Sequence, residues 1–235
     1  MNGLVKWSFG RWVASIALMM VVMFSGTLLQ AEDDKSAKDS KEMMKKDTKD
    51  KSATMKMAET KYVMDNMKSK AYWLGSKFVG SSHNGYVSVK SGYVLYHNDM
   101  PHSAQVVMDM NSITNTDMKG EDAQKIVKHL KNDDFFDVPN HPTATLMVKK
   151  FTKAEGTTYN VSGDMTIRGV TKPVTFTCDL VKKDQMVTGK GKFTFDRTEF
   201  NVKYNSKKLS PQLLGDKVIK DEVDMTFDFV ASLTK

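Results

Sequence analysis

The sequence predicts a mainly β fold: an antiparallel, up-and-down β-barrel with one short α-helix, set behind a targeting segment and a charged tether. Apolar and polar residues alternate with period two in one segment after another, giving each strand one dry and one wet face. Strands with one wet face belong in antiparallel sheets, because parallel sheets are covered on both sides and read as continuous apolar runs. The alternating segments are long and closely joined, which favours a sheet that closes on itself and hides its edges. A single segment carries helical spacing.

Residues 1–31 read as a cleaved export signal. Lys6 and Arg11 are the only charges, an apolar run covers 12–24, and Ala31 is the small residue before a polar stretch. The competing reading is a retained anchor, since 13–29 is nearly long enough to span a bilayer. No cysteine stands near the cleavage point, which excludes a lipoprotein. Residues 32–60 form a charged flexible linker, in which eight Lys balance eight Asp and Glu with no aromatic residue. Such a segment buries too little to offset chain entropy. The domain is expected over 61–235, long enough for one substantial core.

Within it, Val106, Met108 and Met110 alternate with polar neighbours. Residues 120–132 place Ala123, Ile126, Val127 and Leu130 at helical spacing. Acids stand in the first turn of that segment and bases in the last, as the helix dipole prefers. Alternation resumes in 144–148, 159–167, 174–180, 187–195 and 200–205. It is clearest in 222–232, where Val223, Met225, Phe227, Phe229 and Ala231 share one face. Arg168 and Gly169, with Pro173 opening the next strand, fit a hairpin turn. Phe135 and Phe136 follow the helix and are placed to seal one barrel end.

A barrel of eight strands is just wide enough to fill itself or to hold one small ligand. The dry faces carry Val87, Val89, Met108, Met110, Leu146, Val148, Val161, Met165, Phe176, Cys178, Phe193, Phe195, Met225, Phe227 and Phe229, the candidate ligand-binding set. Small Gly163, Gly189, Gly191, Ala144 and Ala231 are interleaved and read as gaps. Methionine adapts to irregular apolar shapes, so the mixture suits a chain-like lipid. The pattern leaves an ordinary packed core equally open.

Several stretches resemble the YceI-like family, the lipocalin-like, polyisoprenoid-binding periplasmic proteins. They are Ser82-His83-Asn84-Gly85 with Val87, Val89 and Gly92; Asp109-Met110-Asn111-Ser112-Ile113; His129 to Val138 with His141-Pro142-Thr143-Ala144; Gly163 to Val174; and Asp196-Arg197-Thr198-Glu199-Phe200. They run in the family's order from Tyr62 to the C-terminus. The resemblance implies a closed barrel and export to the periplasm. It also implies a long isoprenoid or related amphiphilic lipid held without chemistry and, in some members, a homodimer. Two departures stand out: Ile126-Val127-Lys128 replace an Arg-Asp pair, and Asn201 stands where glycine is frequent. Arg168 and Arg197 are candidate headgroup contacts, set against the commoner role of bridging within the protein.

No catalysis is expected. Cys178 is the only cysteine and lies on a dry face without a base beside it. GxSxG, P-loop and GxGxxG motifs are absent. His97 and His102 are not at helical metal spacing, so no metal or other cofactor is expected beyond a bound lipid. The formal charge of +7, or +5 without the signal, comes from scattered lysines. It suits solubility and transient contact with an anionic membrane surface better than nucleic acid. An alternative of another class is periplasmic Cu(I) chelation by Met43, Met44, Met55, Met57, Met64 and Met67, whose thioethers are soft ligands. A structural envelope-stress protein with an incidental cavity is the third reading.

Overall fold

The computed structural model describes residues 59–234; the expected signal, nearly all of the tether, and Met43, Met44, Met55 and Met57 lie outside them. The strands are β1 (Glu59–Met64), β2 (Lys70–Lys77), β3 (Ser82–His97), β4 (Met100–Asp109), β5 (Thr143–Lys153), β6 (Thr158–Ile167), β7 (Val170–Lys183), β8 (Met186–Asp196) and β9 (Ile219–Leu233). Helix α1 (Gly120–Lys131) lies between β4 and β5. The first strand begins at Glu59, slightly ahead of the expected boundary, because Glu59 and Thr60 already pair with His97 and Tyr96. Polar residues at a strand end give no apolar signal.

All neighbours are antiparallel and the sheet closes through β3–β4 and β9. β1 and β2 both pair with β3 and with β9, so they occupy one barrel position in tandem and the nine strands close as an eight-position barrel. The break between them is stitched by side chains. Asp65 accepts the N–H groups of Met67 and Lys68. The hydroxyl of buried Ser69 accepts from Val230 N–H at 3.1 Å and donates at 3.3 Å to Val230 C=O, which also accepts from Asp65 N–H at 2.8 Å, so Ser69 supplies the acceptor that the break takes from Val230 N–H.

The two barrel ends differ. At one end the turns are tight (98–99, 154–157, 184–185) and buried Tyr62, Tyr96 and Tyr159 plug the interior, with Tyr62 and Tyr96 edge to face at 5.3 Å. At the other end lie the long connections 110–142 and 197–218 and the turn 78–81. α1 sits in the first of these, as its amphipathic spacing predicts.

Two expectations are corrected. Residues 200–205 do not form a strand: Arg197–Phe200 is a 3-10 turn, and Asn201 and Asn205 take positive φ of 62° and 50°. Successive turns bury Phe200 and Val202 and leave Tyr204 partly exposed, so alternation in burial arises without extended backbone. Asn201 is the left-handed cap of that turn, a conformation glycine and asparagine adopt at least cost, which accounts for the departure at this position. Nor does Pro173 open a strand. The turn is Arg168–Gly169, both at positive φ as a two-residue hairpin requires, and β7 begins at Val170. Pro173 lies within β7 opposite Asp164, where no β8 partner is present, because the β7–β8 ladder ends at Thr177–Lys192.

Candidate functional site: an apolar barrel cavity

The barrel encloses an apolar cavity of about 590 Å³, within the range of small-molecule sites. All fifteen candidate residues face it. Met108, Leu146, Phe176, Phe193, Met225, Phe227 and Phe229 point inward yet are only half-buried, because their inner surfaces border open space rather than other atoms. That accessibility separates a cavity from a packed core, which the alternation alone did not.

The space does not come from the glycines. Gly189 pairs with Phe229 and Gly191 with Phe227, and each ring lies directly over its glycine. Gly163 faces the Met147 carbonyl where β5 is bulged. These three positions are filled by the chain itself, correcting their reading as gaps. Room remains because the rings lie flat against the wall. Phe176 and Phe193 stack at 5.3 Å where β7 and β8 part.

Ile126, His129 and Leu130 of α1, followed by Phe135 and Phe136, cover part of the wide end. The two phenylalanines meet edge to face at 5.6 Å. Ser76, Lys77, Ser81 and His83 continue the rim, with Asn205, Asp216 and Lys217. Segment 114–117 is held there by Thr114 and Thr116 N–H bonds to Tyr86 and Asn84 carbonyls. Burial pushes the Asp117 carboxyl up, but bonds from Asn84 N–H, His83 and Asn115 outweigh this and leave its pKa below the usual carboxylate range.

The two arginines expected as candidate headgroup contacts both make hydrogen bonds within the protein, and Arg197 also borders the cavity. Arg168 Nη1 donates to Phe135 C=O at 2.7 Å and Asn201 C=O at 2.9 Å, and Nη2 donates to Asp133 C=O. It thereby ties the β6–β7 turn to both cover segments. Arg197 is 1 % exposed. Its Nε donates to Lys220 C=O at 3.0 Å, Nη1 to Val202 C=O at 2.8 Å, and Nη2 to Ile219 C=O at 3.1 Å and Asp221 at 3.3 Å. The partners are mostly backbone carbonyls, from irregular segments and from the start of β9, which side-chain spacing does not reveal.

Sequence reasoning missed Trp73. It borders the cavity, and its buried indole N–H has no partner among the described residues. An unpaired buried donor is uncommon in folded proteins. Met64, one of the proposed copper thioethers, is buried against Gly92, so it belongs to the core.

Cys178 is buried in the cavity wall, and burial, then the neighbouring Asp179, pushes its thiol up to about 12. Thiolate is the reactive form. In the lipid-free native protein, iodoacetamide at pH 8 is therefore expected to alkylate Cys178 on the order of a thousandfold more slowly than in the unfolded chain. Comparable rates by mass spectrometry would show that the wall opens readily.

A YceI-like domain matches residues 62–231, nearly all of the described barrel. The chain belongs to the YceI-like family. Among curated relatives, a UPF0312 protein of Vibrio parahaemolyticus is 28% identical over 102 residues, 43% of this chain and 54% of the relative. One of Pseudomonas aeruginosa is 43% identical over 54 residues, 23% of this chain and 28% of the relative. The chain thus spans about half the length of the first and less of the second. Among solved structures, BcnA of Burkholderia cenocepacia superposes with a TM-score of 0.58 at 25% identity, covering 72% of this chain and 99% of BcnA. A polyisoprenoid-binding domain of Saccharophagus degradans gives 0.54 at 14% identity, covering 74% and 98%, and shares the YceI-like fold. No helix among the described residues is long and apolar enough to cross a membrane.

Proposed function

We propose that this YceI-like protein is a non-catalytic periplasmic carrier that holds a long-chain isoprenoid or related amphiphilic lipid in its barrel. The observation that carries this is the cavity itself, lined chiefly by aromatic, methionine and aliphatic side chains, with most of its polar lining residues towards the wide end. The apolar chain lies along Phe176, Phe193, Phe227 and Phe229, and the unpaired Trp73 N–H favours a ligand carrying an acceptor oxygen. The name of the Saccharophagus neighbour supports the ligand class, and the leader-like residues 1–31 support export.

The wide end also supports loading from a membrane. Phe78, Val79 and Leu214 are 66%, 59% and 73% exposed. Their segments are tied together: Phe78 N–H donates to Val218 C=O at 2.9 Å, and Val79 packs beside Gly215. Residues 203–220 contribute five lysines against Asp216 alone. Exposed apolar side chains beside a lysine-rich connection complement an anionic bilayer surface.

The test is incubation with phosphatidylglycerol vesicles carrying a long-chain isoprenyl phosphate, followed by native mass spectrometry. A one-to-one complex is expected. The double variant Phe78→Ser, Leu214→Ser is expected to slow uptake from vesicles about tenfold while leaving affinity for detergent-dispersed lipid unchanged. Protein that stays lipid-free in both formats overturns the carrier reading. Equal uptake by variant and wild type overturns the docking face alone.

A further inference from the structure

We propose that Glu59, His97 and His102 form a divalent transition-metal site on the outer wall of the barrel, at the closed end and separate from the cavity. The three residues come from three neighbouring strands. Glu59 of β1 is the direct cross-strand partner of His97 on β3. His102 comes from β4, across the hairpin turn. There the β3–β4 register passes from Leu95–Ser103 to Tyr96–Pro101, so His102 is the extra residue of a β-bulge. A bulge re-aims a side chain that regular pairing would place elsewhere, and such irregularities gather at functional positions. Here it brings the two imidazoles face to face, their centroids 3.9 Å apart and their planes within 11°.

The donor atoms already stand at near-ligating separations. Glu59 Oε2 is 3.2 Å from His102 Nε2 and 3.7 Å from His97 Nε2, and all three donors lie within 4.8 Å of one another. A tetrahedral ion with bonds of about 2.1 Å holds its ligands ~3.4 Å apart. All three side chains are partly exposed, so modest rotation of the rings turns both Nε2 lone pairs onto one point and leaves a position for water. The turn carboxylate Asp99 is already paired with Lys182 at 2.8 Å, leaving Glu59 as the acidic ligand. Two imidazoles and one carboxylate suit Zn²⁺ or Cu²⁺ rather than Ca²⁺ or Mg²⁺, which prefer all-oxygen shells. They are also unlike the thioether ligands that favour Cu(I). A bound ion would pin β1 to the β3–β4 hairpin.

The test is calorimetric titration of the full chain with Zn²⁺ alone, with histidine ring signals followed by NMR. One ion per chain is expected, with a dissociation constant below about 100 µM and with the His97 and His102 signals perturbed first. His102→Ala and Glu59→Gln are each expected to weaken binding at least about tenfold without changing lipid uptake, since neither residue lines the cavity. Glu59→Gln keeps side-chain volume and strand pairing, so the test stands even if a histidine variant folds poorly. No zinc binding by the wild type, or unchanged binding by both variants, overturns the site.

Discussion

Replacing Met108 and Leu146 together by tryptophan is expected to abolish lipid uptake while the barrel stays folded. Both residues point into the cavity from adjacent strands, and both are half-buried because they face open space. Overpacking is costly where new atoms must displace old ones. Here the indoles enter unfilled volume, and the added burial offsets some of the strain. Two indoles in place of these smaller side chains take up part of the cavity of about 590 Å³ that a long chain must fill. Affinity for a long-chain isoprenyl phosphate should fall at least about a hundredfold, equivalent to ~2.7 kcal/mol, with the thermal midpoint within a few degrees of wild type. Titration and far-UV circular dichroism check the two halves of this result. A folded variant with undiminished affinity would move the lipid out of the barrel.

Arg197→Met carries the largest expected loss of stability. The methionine fills much of the arginine's volume but leaves the carbonyls of Lys220, Val202 and Ile219 without their donor in a buried site. Asp221 loses its cationic partner as well. Burial pulls the Arg197 pKa down, while Asp221 and Asp196 oppose it; a guanidinium stays charged in proteins nonetheless. Removing one member of such a buried, hydrogen-bonded set costs about 3–5 kcal/mol. With a urea dependence of about 2 kcal/mol per molar, the unfolding midpoint should drop by roughly 2 M. Arg197→Lys should recover only part of this, since an ammonium cannot reproduce the guanidinium fork. A midpoint unchanged in Arg197→Met would mean that the 197–218 connection does not depend on this clamp.

Much of the barrel was legible because a strand with one wet face writes its orientation into the sequence. Val223, Met225, Phe227, Phe229 and Ala231 point inward as their spacing requires, and so do the sets on β4 to β8. α1 was legible for the same reason at a different period. Residues 200–205 misled because two buried residues separated by an exposed one can arise from turns as well as from a strand. The tandem β1–β2 position was hidden because its break is made by one aspartate and one serine, with no proline or glycine to mark it.

The candidate site divides in the same way. Residues 87–229 supplied the apolar lining in advance, since facing inward is a local property of a strand. Whether that lining enclosed space was not local. It depended on the barrel's closure, on Phe227 and Phe229 lying flat over Gly191 and Gly189, and on which end the tyrosines plug. The tasks of Arg168 and Arg197 depended on backbone carbonyls brought in from elsewhere, and the meeting of His97 and His102 with Glu59 depended on a bulge and a neighbouring strand. Chain order thus settles the periodicity, the family pattern and the inward faces, because these follow from the geometry of one strand or helix at a time. Volume, hydrogen-bond partnership and the convergence of distant side chains are properties of the closed sheet, and they exist only once residues far apart in sequence share the same few ångströms.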